Sequence, residues 1–270
     1  MANSPEVRAR PTPSRRWLVR ALIALVAGVA VLFGAVFIYA NFINDPQDAL
    51  TEADLQAALV ETTSPEDATP DEPVTDTTEA TDGETGDDPG DDTGDDAGVE
   101  GLWVATSDSE VGYRVTEVLF GVNTEGVGRT SEVDGELIIE DTTITAVDFS
   151  VDLASVTSDD GRRDGQFRGR IMNVDEFPTA EFSLTEPIEL GELPAPGEQI
   201  TTTAAGELTL RGTTNDVVFE VTAQRSDGRI GVLGTIAVVF ADYAIPNPSI
   251  AGITTEDNGL LEFVLVFARP

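Results

Sequence analysis

"TAVDFSVDLASV" (residues 145–156) sets Val147, Phe149, Val151 and Leu153 in alternation with Asp148, Ser150 and Asp152. Successive side chains of a strand point to opposite faces, so this period places the apolar groups on one face and the polar groups on the other. One face is wet and the other is buried. "GRIGVLGTIAVVFADY" (228–243) repeats the pattern through Ile230, Val232, Ile236, Val238 and Phe240, with Gly231 and Gly234 marking close packing or bends. The chain closes on "GLLEFVLVFARP" (259–270), whose Leu261, Phe263, Leu265 and Phe267 share a face. Runs at 112–120, 131–139, 179–184, 200–210 and 216–224 read the same way and bring the strands to eight, with a hairpin turn at 140–143. Short strands broken by Gly, Asn and Asp define an all-β domain, either a sandwich or an up-and-down antiparallel barrel, and alternation alone does not separate the two. Helical spacing occurs only in "RRDGQFRGRIMNV" (162–174), where Asp164 is placed to cap a turn and Phe167, Ile171 and Met172 fall on one face.

Composition removes whole classes of chemistry. The 270 residues include no cysteine and no histidine, and all 15 basic residues are arginine. Disulfides, thiol lipidation, Cys/His zinc sites and histidine-based triads are therefore absent, and no nucleophile–base constellation stands out. The sequence predicts a binding protein, not an enzyme.

Charge divides the chain. Residues 1–16 form a basic tail carrying Arg8, Arg10, Arg15 and Arg16 against Glu6. Residues 17–40 contain "ALIALVAGVAVLFGAVFIYA", 20 uncharged, mostly apolar residues beginning at Ala21, long enough as a helix to cross the ~30 Å hydrocarbon layer. A cleaved signal peptide has a shorter apolar core and a small-x-small site, whereas Ile38-Tyr39-Ala40 places a bulky residue at the critical position. The expectation is a single-pass anchor in the cell membrane, with Trp17 and Tyr39 near the two interfaces. Arginines before the span put the N-terminus in the cytoplasm and the remainder outside.

From residue 45 to residue 100 there are 20 acids, no basic residue and no Phe, Trp or Tyr, and the segment ends in a Gly-Asp-Asp-x repeat. Such a composition cannot bury enough apolar surface to offset chain entropy, so residues 41–100 are expected to form a disordered acidic linker with a reach of ~40 Å or more. Paired aspartates attract calcium, but the spacing of a calcium-binding loop is missing and a solvated spacer is the simpler reading. Residues 101–270 carry 29 acids and 10 arginines, a balance that does not suit nucleic acid.

Three blocks carry a family resemblance: "VDLASVTSDDGRRDGQFRGRIMNVDEFPTAEFSL" (151–184), "AAGELTLRGTTNDVVFEV" (204–221) and "LLEFVLVFA" (260–268). Together they resemble the YceI-like family of lipid-binding β-barrels, over roughly residues 102–269. The resemblance implies an eight-stranded antiparallel lipocalin-like barrel with a short helix. Its elongated apolar interior would hold a polyisoprenoid or an isoprenoid quinone as bound ligand, with no cofactor. An eight-stranded barrel is wide enough for one slender ligand. The family commonly carries histidines where this chain has Gly165 or Gln166 and Arg211, and "FADYAIPNPSI" (240–250) replaces its usual segment near the last hairpin.

Candidate ligand contacts follow from the strand alternation and the helix face: Phe149, Phe167, Met172, Phe177, Phe182, Phe240 and Phe263. The same side chains would also serve a solid core. Arg162, Arg163 and Arg168, with Arg170, either meet a polar or anionic head group at the barrel mouth or pair with local acids, Arg163 with Asp164 forming an internal ion pair that pins the helix. A surface-displayed adhesion or interaction module on a stalk remains the competing reading.

Overall fold

The computed structural model describes residues 15–38, 46–60, 98–226, 228–250 and 252–270. The apolar N-terminal run forms helix α1 (Arg15–Ile38), on which Leu22, Ile23, Leu25, Val26 and Phe33 stand exposed. Some side chains of α1 lie outside the described set, and among the described residues no helix is long and apolar enough to cross a membrane.

The β-domain comprises β1 (Gly101–Ala105), β2 (Glu110–Leu119), β3 (Val122–Thr130), β4 (Val133–Glu140), β5 (Thr143–Asp152), β6 (Thr157–Ser158), β7 (Thr179–Leu184), β8 (Ile188–Glu189), β9 (Gln199–Leu210), β10 (Thr213–Ser226), β11 (Arg229–Val239), β12 (Ile253–Thr255) and β13 (Asn258–Ala268). The order β1-β4-β5-β7-β9-β10-β11-β13 returns to its start through Val104↔Ala268 and Ala105↔Phe267, so eight antiparallel strands close a barrel. This closure decides against the sandwich. Along the same edge of β13 as β1, residues Leu260–Val264 pair with β2, which pairs in turn with β3, and β6 pairs with β3.

Every expected strand is present. The alternation sorts their faces as anticipated: Val151 and Leu153, Ile236 and Val238, and Phe263, Leu265 and Phe267 all enter the main core. Strands β1 and β3 were not among the eight expected; "VNTEGVGRT" is polar and glycine-rich and carries little period-2 signal.

One expectation fails outright. Residues 46–60, placed in the disordered linker, are folded onto the barrel, where they form helix α2 (Glu52–Leu59). Average composition concealed a local pattern. Thr51 starts the helix, its N–H and hydroxyl both donating to Asp54 Oδ2 at 2.8 and 2.7 Å. Leu55 and Leu59 then fall on one face at i, i+4 and pack on Val264 and Val266. Gly231 of β11 makes room, since a Cβ there would lie 2.5 Å from Leu55 Cδ1. The outward side chains of β13 are thus buried too, which is why its sequence reads as a nearly continuous apolar run.

Beside this patch the outer wall buries an ion cluster. The Glu262 side chain is only 4% exposed and accepts from Arg114 Nη2 at 3.1 Å and Arg129 Nη2 at 2.6 Å. The same two guanidiniums donate to the carbonyls of Gln47 (2.7 Å) and Asp48 (2.6 Å), so the ordered segment adds to their hydrogen bonding. Residues 41–45 and 61–97 of the expected linker, with most of the Asp repeat and the question of calcium, lie outside the described residues, as does most of the basic tail.

Candidate functional site

Inside the barrel the apolar faces do not fill the space. Among the described residues, two apolar cavities line the lumen. The larger, about 130 Å³, lies toward the end that carries the helical turns and is walled by Val115, Leu153, Phe167, Met172, Ile236 and Phe240 among others. The smaller, about 90 Å³, is walled chiefly by Ile139, Ile144, Val147, Leu184, Ile200 and Phe267. Phe149 and Phe263 belong to both walls.

The helical end is built from a short helix and an irregular turn. Asp160 caps α3 (Gly161–Gln166), accepting from the Arg162 N–H at 2.8 Å. The helix then widens into a π-turn at Phe167–Ile171, where Met172 N–H donates to Phe167 O at 2.8 Å across five residues. That extra residue per turn brings Phe167, Ile171 and Met172 together on the cavity wall, as their spacing predicted.

Tyr113, Glu117 and Arg163 place polar groups in the wall of this larger cavity. The Tyr113 ring stacks on Phe167 at 5.0 Å, and burial pushes its hydroxyl well above the usual phenol range. Arg163 Nη2 lies 3.7 Å from Glu117 Oε2 and also pairs with Asp159. Burial raises the Glu117 carboxyl, with the Arg163 charge pulling the other way. Burial alone would lower Arg163, but Glu117 and Asp159 outweigh it and hold the guanidinium above its ordinary value. The arrangement supplies one donor group, one acceptor group and a phenol at the end of an otherwise greasy chamber. Among the described residues no three carboxylates gather to hold a metal ion.

The expected contact residues divide accordingly. Phe149, Phe182 and Phe263 lie at the middle of the lumen, and Phe167, Met172 and Phe240 wall the larger chamber. Phe177 lines neither: it precedes β7 and packs over Gly212, with the Arg211 guanidinium 5.9 Å from its ring. Alternation does not extend past the end of a strand.

Of the four clustered arginines, only Arg163 reaches a cavity. Arg162 is exposed. Arg168 donates to Val156 O at 3.2 Å, and Arg170 donates to the carbonyls of Asn247 (3.0 Å) and Pro248 (2.8 Å). These cations stitch loops across the barrel end. The expected Arg163–Asp164 pair does not form, because neighbours at i, i+1 on a helix diverge. Asp164 instead accepts from the Ser158 N–H (2.9 Å) and hydroxyl (2.6 Å), and Asp160 takes the capping role expected of it.

The wall residues outside the expected contacts include Tyr113, Glu117 and Phe219. Tyr113 and Glu117 share the inward face of β2 with Val115, where a lone carboxylate on an apolar face is itself the signal. Phe219 shares the inward face of β10 with Val217 and Val221.

A closed eight-stranded antiparallel barrel with an apolar lumen has the architecture of the lipocalin-like barrels. Residues 103–267 match the model of the YceI-like domain, more than half of the chain, and the protein belongs to the YceI-like family. Among solved structures, a polyisoprenoid binding domain from Saccharophagus degradans implicated in plant cell wall breakdown aligns with 20% identity over 63% of this chain and 99% of that one, at a TM-score of 0.51. BcnA of Burkholderia cenocepacia aligns with 18% identity over 59% of this chain and 96% of that one, at a TM-score of 0.46. No curated protein matches the chain.

Arg211 adopts φ 49° in the β9–β10 turn and donates to Ala244 O at 2.6 Å. The atypical segment after β11 forms a 3₁₀ turn (Phe240–Tyr243) and sends Phe240 and Ile245 into the larger chamber.

Proposed function

We propose that the protein holds an isoprenoid-type apolar chain, a polyisoprenoid or an isoprenoid quinone, in the barrel lumen, and does so from a membrane anchor with its β-domain outside the cytoplasm. The observation that carries the reading is the pair of apolar cavities inside a closed barrel: a domain built only to present an outer surface would fill that space, since interiors pack to near-crystalline density. Family membership supports it, and the Saccharophagus neighbour is itself named as polyisoprenoid-binding. The ligand's polar end would meet Tyr113, Glu117 and Arg163, which replace the broader arginine cluster as head-group contacts.

The anchor rests on the sequence, on the uncharged run from Ala21 to Ala40, which as a helix is long enough for the ~30 Å hydrocarbon layer. Its orientation rests on the arginines that precede the run.

The full chain, extracted from membranes in detergent and analysed by native mass spectrometry and solvent extraction, is expected to carry an isoprenoid-type lipid. Protease added to intact cells should cut the β-domain and spare the basic tail. Recovery of an empty barrel that also fails to take up added farnesol would overturn the binding reading. Protection of the β-domain in intact cells would overturn the orientation.

A further inference from the structure

The two chambers are separated by side chains from four different strands. Phe149 (β5) stacks on Phe182 (β7) at 5.2 Å, Phe182 meets Phe219 (β10) edge-on at 5.5 Å, Phe219 meets Phe263 (β13) edge-on at 6.1 Å, and Phe263 closes back on Phe149 at 6.0 Å. The rings form a closed cycle across the lumen. Phe182 and Phe263 are each 2% exposed, and Phe219 is buried with them.

Two of the rings are seated against backbone. A Cβ on Gly206 would lie 2.5 Å from the Phe182 ring, and one on Gly234 would collide with the Phe263 ring. Neither ring can retreat outward through the wall, and the room they leave lies above and below them. Phe149 and Phe263, which face both chambers, form the floor of one and the ceiling of the other.

We infer that Phe149, Phe182, Phe219 and Phe263 are the length stop of the lumen. A short apolar chain with its polar end at Tyr113, Glu117 and Arg163 fills the larger chamber and ends on the ring cycle. A longer chain enters the smaller chamber only by displacing rings that hold one another edge-on and stacked. This deepens the proposed function and rests on it. Selectivity for chain length then lies in the middle of the barrel, because the polar end selects only head groups.

Removing one ring joins the chambers. Each methylene newly buried in the second chamber adds enough affinity that two of them amount to roughly tenfold. The test uses the full chain in detergent, loaded with farnesol or with the much longer solanesol and read by native mass spectrometry. The parent protein is expected to retain farnesol in preference to solanesol, and Phe219→Ala to raise the ratio of solanesol to farnesol retained about tenfold. Phe219→Leu, which keeps an apolar group of smaller reach, provides the same comparison should the alanine variant fold poorly, and is expected to give a smaller gain in the same direction. Equal retention of both alcohols by the parent, unchanged in either variant, would overturn the length stop while leaving lipid binding intact. Retention of neither alcohol by parent and variants would overturn the proposed function and the length stop with it.

Discussion

Leu55→Ala tests whether residues 46–60 are an integral part of the fold. Leu55 is wholly buried, with 0% exposure, between Leu59, Val264, Val266 and the bare backbone of Gly231. Truncating a leucine buried in this way costs about 2–5 kcal/mol. The patch lies at the barrel's outer wall, and an eight-residue helix can settle into part of the space, so a cost of about 2–3 kcal/mol is expected. Because a helix this short is marginal by itself, the loss falls on docking of the segment and not on the barrel. At 1.4 kcal/mol per factor of ten, it corresponds to roughly a 30–150-fold rise in the open population. Hydrogen exchange followed by mass spectrometry should show amides of α2 exchanging faster by that factor, while those of β5, β7 and β9 keep their rates. Unchanged exchange in α2 would refute the docking argument; an equal acceleration across all strands would show that the segment and barrel unfold as one.

Three further outcomes follow from the geometry. Glu262→Ala leaves Arg114 and Arg129 facing one another in a buried wall, and urea unfolding should report a loss of about 3–5 kcal/mol, toward the lower end because Glu125 and Glu110 remain as partners. Gly234→Ala drives a methyl into the Phe263 ring and should cost about 1–3 kcal/mol by thermal unfolding, with a normal melting temperature refuting the seated-ring geometry. Glu117 has its carboxyl raised by burial, so the folded chain holds that proton more tightly than the unfolded chain. The stability this contributes is full below the ordinary carboxylate range and is lost as pH rises through the raised value. Glu117→Gln should therefore gain on the parent in urea midpoint as pH rises from the acid side toward neutrality, and a gain by the parent would reverse the sign of the argument.

The strands of the barrel were legible because a wall with one wet and one greasy face writes its period into the sequence, as at Val147–Phe149–Val151–Leu153. Closure was not legible from that period, since a sandwich uses the same alternation, and only the pairing of β1 with the end of β13 distinguishes them. At the site, Phe167, Ile171 and Met172 were readable from their spacing, although the π-turn that gathers them was not. The arginines misled because sequence shows where charge is concentrated but not which carbonyls lie across a loop. Arg168 and Arg170 find theirs at Val156, Asn247 and Pro248, the last two more than seventy residues away in the chain. Helix α2 was hidden for a related reason: two leucines four apart in an acidic stretch acquire meaning only when β11 presents a glycine and β13 two valines to receive them.

That docked segment also changes what the acidic stretch does. If the spacer joined α1 to the barrel directly, its full length would set the domain's distance from the bilayer, ~40 Å or more. Instead the chain is fastened to the barrel on both sides of the acidic run. Arg229 donates to Ala58 O at 3.1 Å just before it, and Arg269 donates to Gly98 O just after it. Between Ile38 at the end of α1 and Pro46 at the start of the docked segment only eight peptide steps intervene, which cannot reach beyond ~30 Å in any conformation. Lengthening or deleting the acidic run between these two fastened points should therefore leave that limit unchanged. On the proposed reading this matters for loading. An apolar chain is poorly soluble in water and must pass from bilayer to lumen over a short path, and a clasp beside the anchor keeps that path short where a long charged tether would extend it. Loss of the clasp through Leu55→Ala should then slow uptake of farnesol from vesicles by the full chain while leaving its retention in detergent unchanged, and an equal effect on both would show that the clasp acts on the lumen itself.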